Sequence, residues 1–138
     1  MRSTILGLAL SAFVGAPLVA QEVQAPIPAI ESTIQSQIDA FLRDDFAAAF
    51  AFASPTIQNI FHTPENFGTM VRNGYPMVWR PGSVRYGDLR EIDGALWQEV
   101  IVTDDAGRLH ALAYRMEQID GAWRIAGVQI LPGPDLSA

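Results

Sequence analysis

VRYGDLREIDGALWQEVIVTDDAGRLHALAYRMEQIDGAWRIAGVQIL, Val84 to Leu131, decides the fold. Asp93-Gly94 and Asp120-Gly121 are two-residue hairpin signals, since both members of such a pair tolerate the positive φ of a tight hairpin turn. Between them, Asp104-Asp105-Ala106-Gly107 suits a four-residue loop. Three turns cut the stretch into four strands, each joined to the next by a hairpin, which predicts an antiparallel meander.

Upstream, the period of the apolar residues changes. Ile30, Ile34, Ile38, Phe41 and Leu42 recur at helical spacing, with Glu31, Gln35 and Asp39 opposite them. Asp44-Asp45 can cap a second helix that buries Phe46, Ala49, Phe50 and Ala53. Ser54-Pro55 and Thr63-Pro64 repeat one start signal, a hydroxyl N-cap followed by Pro at the first helical position. They open two short helices burying Ile57, Ile60 and Phe61, then Phe67, Met70 and Val71, the second stopped by Asn73-Gly74. Tyr75 to Gly82, with Pro76 and Pro81, reads as an extended link. Helices followed by a meander make an α+β arrangement: N-terminal helices packed on a curved antiparallel sheet of about four strands.

The chain divides into a signal peptide over 1–20, an extended lead-in over 21–28, one α+β domain over 29–132 and a C-terminal tail over 133–138. Met1-Arg2 supplies a positive start, Ser3 to Ala20 carries no charge, and Ala20-Gln21 is the expected cleavage point. The expectation is an exported protein, periplasmic or secreted, with no membrane association after cleavage. Loss of the first 20 of 138 residues leaves one domain's worth of chain. The chain has no cysteine, which excludes a disulfide framework, a thiolate metal site and a cysteine nucleophile. All nine basic residues are Arg, which excludes lysine chemistry. Without Arg2, eight Arg face fifteen acidic residues, a net charge of −7 with no basic run, so nucleic acid is not expected as a partner.

The run Ala49-Phe50-Ala51-Phe52-Ala53-Ser54-Pro55, then Pro64-Glu65-Asn66-Phe67 with Met70-Val71, Gly74-Tyr75-Pro76, and Asp120-Gly121-Ala122-Trp123-Arg124-Ile125-Ala126-Gly127 resembles the secreted bacterial family called domain of unknown function 4864. The terminal Trp-Arg-Ile strand is shared more widely, among nuclear-transport-factor-2-like and SnoaL-like proteins. The resemblance implies their cone, in which helices close over a strongly curved sheet and leave a pocket. It transfers no catalytic residue, because the family has no assigned activity. The wider superfamily includes isomerases, dehydratases and cyclases as well as non-enzymatic binding and dimerising domains.

The turns also fix which side chains are opposite one another. With two-residue loops at Asp93-Gly94 and Asp120-Gly121 and a four-residue loop between them, one face holds Tyr86, Asp88, Arg90, Trp97, Glu99, Ile101, His110, Leu112, Tyr114, Met116, Trp123, Ile125 and Gln129. The other holds Leu89, Val100, Val102, Ala111, Ala113, Ala126, Val128 and Ile130. Glu117 falls opposite Arg124, an opposite-charge pair that supports the register. The mixed face is assigned to the cone interior, and Tyr86, Trp97, Met116, Trp123 and Gln129 to a ligand pocket. The aliphatic face, with Val100, Val102, Ala111, Ala113, Val128 and Ile130, is assigned to a homodimer contact.

Asp88 and Glu99 face each other on adjacent strands in this register. With His110 and Tyr114 they are the candidates for proton transfer. Asp88, Glu91 and Asp93 do not share a face, so no metal site is predicted, and no cofactor is implied. Asp104-Asp105 is turn chemistry and His62 ends a helix. The functional expectation is a non-enzymatic module that binds a small apolar or aromatic ligand or a partner chain. The alternatives are a cofactor-free isomerase, dehydratase or cyclase, and a structural dimerisation domain.

Overall fold

A computed structural model describes residues 21–132; the expected signal peptide and C-terminal tail lie outside the described residues. The fold is α+β, with helices preceding an open antiparallel sheet. The helices are α1 (Pro28–Leu42), α2 (Phe46–Ala51), α3 (Pro55–Phe61), α4 (Pro64–Gly74) and α5 (Pro76–Trp79). The sheet runs in chain order through β1 (Gln21–Gln24), β2 (Ser83–Ile92), β3 (Ala95–Thr103), β4 (Leu109–Ile119) and β5 (Ala122–Ile130). It has five strands among the described residues rather than four, because part of the expected lead-in pairs along the edge of β2, with Val23 opposite Arg90.

The starts of α2, α3 and α4 are those the sequence predicts, while α1 begins at Pro28, the last residue of the expected lead-in. Asp45 accepts from the Ala48 N–H at 3.0 Å, Ser54 Oγ from Ile57 at 3.3 Å and Thr63 Oγ1 from Asn66 at 3.1 Å. Each satisfies an N–H that the first helical turn leaves without a partner. The link over Tyr75–Gly82 is not wholly extended, since Pro76 starts one turn of helix. That turn is clipped to the end of α1 by Asp44, which accepts from Trp79 Nε1 at 2.9 Å and from Arg80 at 2.8 and 2.9 Å.

Both Asp-Gly hairpins form as read, with positive φ at Asp93, Gly94, Asp120 and Gly121, and Glu117 does stand opposite Arg124. The middle loop closes differently. The Asp104 N–H donates to Arg108 O at 2.9 Å, Gly107 takes φ 84°, and Thr103 faces Leu109 instead of Arg108. Three residues therefore lie between the closing pair, a turn ending in a left-handed glycine. One residue of register exchanges the faces of β4 relative to β3.

Two bulges complete the change. Gly87 and Asp88 together oppose Glu99, so Tyr86 and Asp88 lie on opposite faces. Ala126 is the extra residue between Ile125 and Gly127. The face against the helices thus carries Tyr86, Leu89, Gln98, Val100, Val102, Leu112, Tyr114, Met116 and Ile125. Trp97, Glu99, Ala113, Arg115 and Gln129 lie on the other. Neither face predicted from the sequence exists as a surface. Val100 and Val102 are fully buried in the helix–sheet core, so the patch assigned to a homodimer contact is divided between the two sides.

Asp104 anchors the middle loop. Its carboxylate accepts from the Ala106 and Arg108 N–H groups at 2.9 Å and meets His110 Nε2 at 2.8 Å. His110 first, then the Arg108 N–H, holds this carboxyl far below the usual carboxylate range. A carboxyl depressed in the folded state stabilises it above its unfolded value, near 3.9, and that contribution is lost as pH falls through the folded value. In Asp104→Asn, the acid limb of the stability profile should therefore flatten, and the Ala106 and Arg108 amides should exchange faster. An unchanged acid limb in urea titrations would remove Asp104 as its source.

Candidate functional site

Between the helices and the β4–β5 side of the sheet lies a cavity of about 430 Å³, within the range that small-ligand sites occupy. Each wall follows from a local sequence decision. Helix α1 contributes Gln37 and Phe41 from its buried stripe, and α4 contributes Phe67, Met70 and Val71 from its own. Pro76 turns the chain so that Tyr75 and Val78 close one end. The floor is Tyr114, Ile125 and Val128 on the sheet. Ala53 is held there because Phe52 and Ser54 pair with Ile125 along the free edge of β5, at 2.8 Å each way. That contact also covers the edge beside the bulge. Helix α3 forms the mouth through Ile57, Ile60 and Phe61, and none of its residues is buried.

One side of the cavity is an aromatic cluster. Phe67 packs against Phe41, Phe50 and Phe61 with ring centroids 6.0, 5.3 and 5.9 Å apart. Among the described residues no Asp, Glu, Arg or His lines the cavity. Its polar side chains among the described residues are Gln37, Tyr75 and Tyr114. Tyr75 donates to Val128 O at 3.3 Å, and Gln37 Nε2 donates to Ala49 O at 3.0 Å. Tyr114 is fully buried, and its hydroxyl has no hydrogen-bond partner among the described residues. Burial pushes that hydroxyl well above the ordinary tyrosine value, with Tyr86 and Tyr75 adding to the effect. Directly across from Tyr114, the amide oxygen of the buried Gln98 is likewise without a partner, while its Nε2 donates to Gly87 O and Glu99 O.

A family model described as a domain of unknown function matches residues 24–138. The chain belongs to the DUF4864 family. No curated protein and no solved structure matches it.

Within this DUF4864 domain, the residues singled out from sequence do not converge. Asp88 and Glu99 are neighbours at the β2 bulge. Asp88 is exposed and pairs with Arg90 at 2.8 Å, while Glu99 Oε1 accepts from the Asp88 N–H at 3.3 Å. A Cβ at position 87 would collide with Glu99 Oε1, so Gly87 is what lets the glutamate close over the bulge. His110 is committed to Asp104. Of the proposed pocket, Trp97 and Gln129 lie on the outer face, as do Asp88 and Glu99. Met116 is core, and Trp123 packs against the core beside it.

Tyr86 is on the inner face but donates to Gln35 at 2.8 Å, outside the cavity. Burial, then the charges of Glu31 and Asp39, push its hydroxyl up to about 12. Only Tyr114 among the residues singled out lines the cavity. Among the described residues no group of three metal-ligating side chains comes together, and no helix is long and apolar enough to cross a membrane. Sequence reasoning missed Gln37 and Gln98. The visible signal was a glutamine inside the apolar stripe of α1 and another on a buried strand, positions where an amide must find partners.

Proposed function

We propose that this domain is an exported, non-enzymatic module that holds a small apolar ligand between its helices and its sheet. The observation that carries the reading is a cavity of about 430 Å³ whose lining, among the described residues, includes no charged side chain. Such a lining favours transfer of apolar surface from water and offers nothing to an ion. A proton-transfer enzyme needs a group poised near neutrality. The titratable groups on these walls are Tyr75 and Tyr114, and burial moves Tyr114 away from that range. The uncharged segment after Arg2 supports export. Helices closing over a sheet to leave a pocket is also the arrangement that the nuclear-transport-factor-2-like cone would give, which supports reading the family as a relative of that superfamily.

The reading is tested with naphthalene, a neutral aromatic smaller than the cavity. Binding only the native state at a hundred times its Kd would stabilise it by about 2.7 kcal/mol. Thermal unfolding should therefore move upward with naphthalene. Ile57→Trp, which places a larger ring at the half-buried mouth, should fold normally and lose the shift. No shift in the parent chain, together with a mass that rises with concentration, would replace this reading with a dimerisation module.

A further inference from the structure

Resting on the cavity reading, we infer that the ligand is a single-tailed amphiphile bound tail first. Its apolar part fills the cavity, and its polar end stays in water at the rim made by Ile57, Ile60 and Phe61. The deep walls have no place for a headgroup. Gln37 Nε2 donates to Ala49 O, the Tyr75 hydroxyl donates to Val128 O, and the Tyr114 hydroxyl has essentially no accessible surface. Among the described residues no side chain of the lining carries a charge. A carboxylate, ammonium or phosphate drawn inside would lose its water and gain no counter-ion, and the part of one amide left uncommitted on these walls cannot replace that water.

The mouth is where a polar end can sit. Phe41, Ala53, Val71 and Ile125 on the deep walls are at most 4 % exposed, whereas Ile60 is 59 % exposed and no residue of α3 is buried. A tail seated on the deep walls therefore ends beside an isoleucine that is already in water. A wholly apolar molecule would leave its outer end wet and unburied there, while a hydrated head in that place keeps its water. A cavity of about 430 Å³, in the lower part of the small-ligand range, suits one tail. Since the rim residues Ile57, Ile60 and Phe61 are uncharged, they do not select the sign of the head. Recognition is by the tail, and selectivity lies in its length and in having one polar end instead of two.

The experiment is direct titration of the full chain at neutral pH with decanoate, decanol, decyltrimethylammonium and decanedioate. The first three share a tail and should bind within about tenfold of one another. Octanoate should bind about tenfold more weakly than decanoate, since each buried methylene is worth about three- to fourfold. Decanedioate, charged at both ends, should bind at least about tenfold more weakly than decanoate. Ile60→Arg changes an exposed position, should leave the fold intact and puts a guanidinium at the rim. Decanoate should then gain about two- to fivefold, decyltrimethylammonium should lose as much, and decanol should not move. Three results would each overturn the inference and leave the cavity standing: decanedioate within about tenfold of decanoate, a wider spread than that among the three heads, or charged heads that ignore Ile60→Arg. Naphthalene binding where no decyl compound binds would do the same. If neither naphthalene nor any decyl compound binds the parent chain, the reading of the cavity falls first.

Discussion

Val100→Arg should abolish the folded state. Val100 is at the centre of the sheet, fully buried beneath the helices, with Leu112 opposite it on β4. A guanidinium there would have no carboxylate among its inner-face neighbours Tyr86, Gln98, Val102 and Leu112. An unpaired buried charge costs at least about 3–5 kcal/mol, and the lost packing adds to it. Total stability for a domain of this size is about 5–15 kcal/mol, so the variant should show no cooperative thermal transition by circular dichroism. Ala113→Arg is the matched control. Position 113 is on the outer face opposite Glu99, and a charge there should change stability by well under 1 kcal/mol. If Val100→Arg folds while Ala113→Arg does not, the inner and outer faces have been exchanged.

That pair of variants probes a feature that local sequence could not decide, the side of the sheet each strand presents to the helices. Elements with their own chemistry were legible. Ser54-Pro55 and Thr63-Pro64 start helices because a hydroxyl and a fixed φ suit the first turn wherever it occurs. Asp-Gly turns a hairpin because both residues accept positive φ. The segment Asp104-Asp105-Ala106-Gly107-Arg108 carries the same residues whether three or four of them lie in the loop. The choice was made by Asp104, whose carboxylate reaches both the Ala106 and Arg108 N–H groups and the His110 ring. That is a contact between strand ends, not a propensity.

One slipped residue then moved Trp97 and Glu99 out of the interior, brought Val100 into it and kept Tyr114 there. Gly87 was the readable hint of the bulge that separates Tyr86 from Asp88, since glycine within a strand often marks one. β1 was illegible for a different reason. Gln21-Glu22-Val23-Gln24 has no apolar alternation, and it becomes a strand by pairing with the edge of β2. The cavity could not be read at all, because the stripes on α1 and α4 tell which residues are buried but not how far apart the elements stop.

Phe67→Ala should cost about 3 kcal/mol and should be partly repaired by a ligand. Truncating a buried phenylalanine costs about 3–5 kcal/mol, and two features of this site decide where in that range the result falls. Three aromatic partners, Phe41, Phe50 and Phe61, push the cost upward, because each loses a ring contact it cannot replace. Against this, one side of Phe67 already borders the cavity, so part of its surface has no packing to lose. The lower end of the range follows.

The void left by the ring joins an existing apolar space and, with no new polar group in its lining, can hold an aromatic guest as other apolar cavities do. Urea unfolding should give a lower midpoint with an unchanged slope, and saturating naphthalene should stabilise Phe67→Ala at least as much as it does the parent. A loss below 1 kcal/mol would mean that the aromatic cluster is not the support of this wall. A full loss with no response to naphthalene would mean that the helices collapse into the space instead of enclosing it. Which of these occurs depends on whether α1 and α4 are held apart by contacts outside the cavity. Helices α2 and α5 each touch both α1 and α4. The Arg72 guanidinium of α4 over the Phe46 ring of α2, 5.2 Å from its centroid, and the Asp44–Trp79–Arg80 clip between the end of α1 and α5 belong to those contacts, and neither uses Phe67.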